Sequence, residues 1–211
     1  MTGGAVTGDA VFEEGFARLP LMAILRGFDL DRTLELCERA WDLGVALVEV
    51  PVQSPQAVAA LAAAVEAGRG RGALVGAGTV TTVERVEGAV GAGAAFTVAP
   101  GFSRVVAEAS LAAGLPHLPG VATASEVQRA GELGLTWLKA FPAADLGPGW
   151  FTSMRGPFPE VRFVATGGMS VADAEQYLDA GAAAVSLGSA LSDSAQLDRL
   201  PELIARVRPP A

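Results

Sequence analysis

Along the chain, short unbroken apolar runs alternate with longer stretches in which apolar residues recur every three or four positions. The runs are LPLMAILRG (19–27), VALVEV (45–50), ALVGAGTV (73–80), AAFTVAP (94–100), LPHLPGVA (115–122), LTWLKAFP (135–142), RFVATGG (162–168) and AAAVSLGSA (182–190). Unbroken apolar runs of this length are the pattern of strands buried on both faces, as in parallel sheets. The stretches between them read as amphipathic helices. Residues 29–43 are typical: an acidic residue opens the helix, and Leu34, Cys37 and Trp41 follow at helical spacing.

Punctuation supports the same division. Helix-stop tripeptides end at Gly44, Gly68, Gly93, Gly114, Gly134 and Gly181, 24, 25, 21, 20 and 47 residues apart. Glycine just past a helix supplies the left-handed backbone that ends it. The double-length gap contains Gly156-Pro157-Phe158-Pro159, which reads as a unit that ends differently. Thr81 with Glu84, Thr123 with Glu126 and Ser170 with Asp173 have the spacing of N-terminal capping boxes. Arg69, Gly70 and Arg71 read as an exposed loop.

Eight strand–helix units of about 20–25 residues predict an α/β fold, a (β/α)8 TIM barrel, with a short extra helix before the first strand. A doubly wound open sheet is the competing architecture, but the even beat shows no switch point. The whole chain, 1–211, reads as one domain, with 1–8 and 207–211 expected to be flexible.

Composition narrows the function. The net charge is −8, which disfavours nucleic acid and anionic membranes as partners. The one cysteine, Cys37, excludes an intrachain disulfide framework and reads as core. With one histidine, His117, a His/Cys metal cluster is not expected, and neither is a cofactor. The start has neither the basic nor the apolar segment of a secretory signal, and no uninterrupted apolar run reaches membrane-spanning length. A soluble cytoplasmic protein is expected.

In such a barrel the chemistry sits where strands end at their C-terminal side. Lys139 is the sole lysine of the chain and interrupts LTWLKAFP. A desolvated amine sheds its proton more readily, and the neutral amine attacks ketones to form a Schiff base; the other reading is a strand-end lysine reaching solvent. Glu49 interrupts VALVEV, where a carboxylate calls for either proton transfer or an ion pair with an arginine such as Arg26. Arg26 itself ends the first run and could clamp a carboxylate or phosphate, or simply be solvated. Thr79 ends GAGTV, whose Gly76 and Gly78 read as close packing. Gly167–Gly168 and Gly188–Ser189 follow the last two runs. Backbone N–H groups there suit a phosphate, although plain turns would use the same glycines. His117, Trp41, Trp137 and Trp150 read as structural.

Several of these segments together carry a resemblance. LPLMAILRG, VEVPVQSPQ (48–56), VGAGTV (75–80), ATASEV (122–127), LKAFPAADLGP (138–148), TGG (166–168) and LGS (187–189) resemble the class I, Schiff-base aldolases of 2-keto-3-deoxy-6-phosphosugar acids. The likeness spans residues 19–191 and is nearest the branch acting on 2-dehydro-3-deoxy-6-phosphogalactonate. It implies a (β/α)8 barrel and imine formation between Lys139 and the C2 ketone, with Glu49 relaying protons. It implies that Arg26 and Thr79 line the pyruvate end, that Pro100 and Phe141 shape the wall, and that Gly167, Gly168, Gly188 and Ser189 hold phosphate. It implies pyruvate and glyceraldehyde 3-phosphate as products, and a homotrimer. Gln53 leans towards the galactonate branch. Thr166 leans towards the gluconate branch and is implied to contact the C4 hydroxyl. On the residues alone, two other classes stand beside the lyase: a sugar-phosphate isomerase or epimerase with Glu49 as base, and a non-catalytic phosphosugar sensor.

Overall fold

A computed structural model describes residues 9–188, 191 and 193–208. In chain order the elements are α1 (Ala10–Arg18), β1 (Leu21–Ile24), α2 (Leu30–Asp42), β2 (Leu47–Pro51), α3 (Pro55–Arg69), β3 (Leu74–Gly78), α4 (Val83–Gly91), β4 (Thr97–Val98), α5 (Arg104–Ala112), β5 (His117–Leu118) and β6 (Gly120–Val121). They continue with α6 (Ala124–Gly131), β7 (Trp137–Ala140), α7 (Ala143–Leu146), α8 (Pro148–Arg155), β8 (Arg162–Thr166), α9 (Ala174–Asp179), β9 (Ala184–Leu187) and α10 (Ser194–Val207). Each of the eight apolar runs contains a strand, and every recorded pairing is parallel.

The strand order is β5-β4-β3-β2-β1-β9-β8-β7-β6. Its two ends, β5 and β6, are separated by Pro119 alone. They are halves of one strand: proline has no N–H to give to the ladder, yet its carbonyl still accepts from Lys139 N at 2.9 Å. The sheet therefore closes into a (β/α)8 barrel, and the open-sheet alternative is excluded.

Strand periodicity sorts the side chains into two cores. Met22, Ile24, Leu47, Phe96, Val98, Leu118, Trp137, Val164 and Ala184 fill the barrel interior. Their sequence neighbours, among them Ala23, Val48, Leu138, Ala165 and Val185, face the helices. The extra helix α1 joins the interior core, with Phe16 stacked on Trp137 at 5.0 Å and Phe12 edge-on to Phe96 at 5.4 Å. Among the described residues, no helix is long and apolar enough to cross a membrane.

Local expectations hold with three shifts. Gly44, Gly93, Gly114, Gly134 and Gly181 all have positive φ, as helix stops should. Gly68 does not: α3 continues through Arg69, with Gly68 against Trp41, and the left-handed turn falls at Gly72. Thr123 and Glu126 form a complete capping box. The cap of α4 is instead Thr82, one residue later than expected, because Thr81 uses its hydroxyl to accept from Arg85 Nη1 at 2.6 Å. Ser170 and Asp173 hydrogen-bond to each other as expected, but α9 opens only at Asp173, so Ser170 is not its cap. At the far end, Val207 closes α10 and packs on the outer core, and of the ends expected to be flexible, 1–8 and 209–211 lie outside the described residues.

Candidate active site

The strand register brings three of the eight described buried polar residues to one level. In an eight-stranded barrel with a shear of eight, moving two strands along the sheet and two residues towards the C-terminus keeps the height constant. From Lys139 on β7 the row runs through Val164 to Ala184, so Ser186 on β9 lies level with it. From Ser186 the row runs through Met22 to Leu47, which places Glu49 on β2 at the same height. Two further steps pass through Val98 on β4 and return to Lys139. One layer of the barrel interior is thus Lys139, Ser186, Glu49 and Val98, the four side chains coming from alternate strands.

Lys139 and Glu49 sit diagonally in this layer. Nζ of Lys139 lies 3.7 Å from Oε2 of Glu49, with both residues fully enclosed, at 2% and 0% exposure. Neither carboxylate oxygen has a hydrogen-bond partner among the described residues. The neighbouring strand makes room for the carboxylate: a Cβ on Gly78 would run into Glu49. The pairing of Glu49 is therefore with Lys139, not with Arg26. The amine also lies 5.4 Å from the centroid of the Phe141 ring.

Above the layer a cleft of about 330 Å³ opens at the C-terminal ends of the strands, lined by Arg26, Lys139, Phe141, Thr166, Gly167, Gly168 and Gly188. Seven of the residues singled out in the sequence thus share one wall. Gly167 and Gly168 have φ of +96° and +72°, and a side chain at either would strike Phe141 or Ala144, so the backbone itself faces the cleft there. Arg26 is exposed at the rim and also borders a groove toward Gln53, which is itself outside the cleft lining.

Thr79 and Pro100 follow β3 and β4 at the same barrel end but do not line this cleft. Thr79 has φ of +57°, the one described non-glycine residue in the left-handed region, and its carbonyl accepts from Arg85 Nη1 at 2.9 Å. Such a conformation costs about 1–2 kcal/mol and is found most often at functional sites. Ser189 lies outside the described residues.

Four lining residues carry no role in the sequence reading: Ile24, Phe28, Met169 and Ser186. Three are apolar and leave no chemical mark. Ser186 does: it interrupts AAAVSLGSA as Lys139 and Glu49 interrupt their own runs.

His117 lies elsewhere. It is buried on β5, its Nδ1 is 2.8 Å from Thr97 Oγ1, and that hydroxyl meets Ser110 Oγ at 2.5 Å. Burial brings its pKa down from 6.5 to about 4. It takes no part in the cleft, as expected for a structural histidine.

One enclosed amine and one enclosed carboxyl beneath a glycine-lined cleft can form and discharge an imine on a keto acid. The comparisons with known proteins agree in kind. A family model described as "KDPG and KHG aldolase" matches residues 12–203. The chain is 36% identical to the 2-dehydro-3-deoxy-6-phosphogalactonate aldolase of Escherichia coli (strain K12), covering 85% of this chain and 87% of that one. A native KDPGal structure superposes with a TM-score of 0.80 at 35% identity, covering 89% and 92% of the two chains. The KDPG aldolase of Legionella pneumophila, solved with pyruvate captured as a covalent carbinolamine, superposes with a TM-score of 0.80 at 31% identity, covering 92% and 96%. The chain belongs to the KDPG and KHG aldolase family.

Proposed function

We propose that this protein is a class I aldolase that cleaves 2-dehydro-3-deoxy-6-phosphogalactonate to pyruvate and glyceraldehyde 3-phosphate. The observation that carries the reading is the sole lysine of the chain meeting Glu49 at 3.7 Å beneath a glycine-lined cleft. In this reading Lys139 Nζ adds to C2, Glu49 moves protons to and from the adduct, and loss of water leaves the imine. The protonated imine draws the electrons of the C3–C4 bond once the C4 hydroxyl is deprotonated. Glyceraldehyde 3-phosphate departs, C3 of the enamine takes up a proton, and water releases pyruvate.

Gly167, Gly168 and Gly188, with Ser189, hold the phosphate through backbone N–H groups. Arg26 serves the carboxylate end and Phe141 bounds the pocket, while Thr79 and Pro100, at the same barrel end but outside the cleft lining, support its wall from behind. A homotrimeric, cytoplasmic enzyme of one domain goes with this reading, supported by the family resemblance; light scattering tests the assembly.

The same reaction on 2-dehydro-3-deoxy-6-phosphogluconate is the second reading. It is favoured by Thr166, which lines the cleft where Gln53 does not. Steady-state rates on the two C4 epimers decide between them. For the mechanism, the protein is incubated with pyruvate and borohydride and digested for mass spectrometry. A reduced pyruvate adduct on Lys139 is expected. A folded protein without adduct would overturn the imine and leave an isomerase using Glu49 as base.

A further inference from the structure

The mechanism above gives no task to Ser186. Its exposure is 1%, it lines the cleft, and its Oγ has no hydrogen-bond partner among the described residues. The other described buried hydroxyls all have partners: Thr33 donates to the carbonyl of Asp29, Thr97 and Ser110 join each other, and Thr166 donates to the carbonyl of Val164. A buried hydroxyl left without a partner destabilises the fold, so its presence calls for a reason.

Its place in the layer supplies one. Lys139 and Glu49 meet across the barrel, Ser186 flanks their contact on one side and Val98 on the other. Three oxygens without partners, two from Glu49 and one from Ser186, therefore border the point where Lys139 Nζ would bond to C2. A hydroxyl can donate and accept at once, which is what an oxygen changing from carbonyl to hydroxyl to water demands of its neighbour.

We propose that Ser186 is a further catalytic residue that, together with Glu49, holds the oxygen leaving C2 during imine formation. The proposal rests on the aldolase reading. Lys139 first gives a proton to Glu49; the freed Nζ lone pair forms the N–C2 bond, and the C2–O π pair moves to oxygen, which takes that proton from Glu49. The nitrogen passes its surplus proton to Glu49, and Glu49 returns it to the hydroxyl. The C2–O bond then breaks, water departs, and the nitrogen lone pair forms C=N. Ser186 donates to the oxygen while it carries negative charge and accepts from it once it is water. The same two residues hold the water that later hydrolyses the pyruvate imine.

The test is rapid-quench borohydride trapping with pyruvate alone, which reads imine formation without any sugar hydroxyl or phosphate. The fold tolerates Ser186→Ala, since Ala184 fills the interior position two residues earlier on the same strand. We expect Ser186→Ala to slow adduct formation on Lys139 about tenfold, the effect of losing about 1.4 kcal/mol at the barrier, with a melting temperature no lower than that of wild type, since the unpartnered hydroxyl is gone. Ser186→Cys, a similar shape with a weak donor, should fall between the two. Equal trapping rates in wild type and Ser186→Ala overturn the proposal. So does a variant that forms the pyruvate imine normally and is slow only on the phosphosugar acid, which would make Ser186 a reader of substrate hydroxyls. Absence of any wild-type adduct is a different result: it removes the aldolase reading itself, and this proposal with it.

Discussion

Removing Lys139 should test the fold as well as the chemistry, and the two effects can be separated. At 3.7 Å the attraction between unit charges is 332/(20 × 3.7), about 4.5 kcal/mol, using the effective dielectric constant of about 20 that describes buried sites. Lys139→Met leaves the Glu49 carboxylate fully enclosed without its cation, and breaking such a pair on one side typically costs about 3–5 kcal/mol. That is a large part of the about 5–15 kcal/mol by which domains are stable. Glu49→Gln added to Lys139→Met removes the stranded charge, so the double variant should regain most of the loss. Urea unfolding of wild type, both single variants and the double variant at pH 7 gives the coupling energy, expected near 3 kcal/mol. A coupling below about 0.5 kcal/mol would refute the claim that the two groups form a charged contact. The cycle also governs how inactivity is read. Loss of turnover in a Lys139 variant speaks for imine chemistry only at temperatures where that variant remains folded.

Two further outcomes are expected. His117 is held neutral by burial, at about 4 against 6.5, so the unfolded chain binds its proton first and folding stability is lost as pH falls from 6.5 to 4. At 1.36 kcal/mol per pH unit this is about 3 kcal/mol, and His117→Asn, which keeps a polar atom near Thr97, should lose that much less between pH 7 and pH 4 in urea titrations; equal losses would contradict it. Gly78→Ala drives a Cβ into Glu49 and should move its carboxylate off Lys139, lowering kcat/KM about a hundredfold when assayed at temperatures where the variant remains folded. Activity within twofold of wild type would show that the carboxylate's position does not matter.

Some of the site was legible because its signals are local. Lys139 and Glu49 are charges inside apolar strands, and an enclosed charge needs a partner wherever the chain goes. The glycine pair after β8 announces backbone that no side chain may crowd. The partner of Glu49 was not legible. On the chain alone the alternatives for Glu49 were proton transfer or an ion pair with an arginine such as Arg26, and only the register across β8, β9 and β1 brings Lys139 level with Glu49. Ser186 went without a role for the same reason: a serine in a strand is common, and what distinguishes this one is the layer it occupies.

The division holds for the fold. Eight runs buried on both faces and a glycine-punctuated beat are properties of successive residues, so the chain alone determines the number and order of strand–helix units. Which edge meets which is a property of distant segments. Closure came from one strand bent at Pro119, pairing with β4 through His117–Leu118 and with β7 through Gly120–Val121. Closure in turn sets which parity of each strand looks inward, and the shear sets which inward residues share a height. Those two quantities are sums over all the pairings of the barrel. No local stretch contains them, and they are what turn three scattered polar residues into one site.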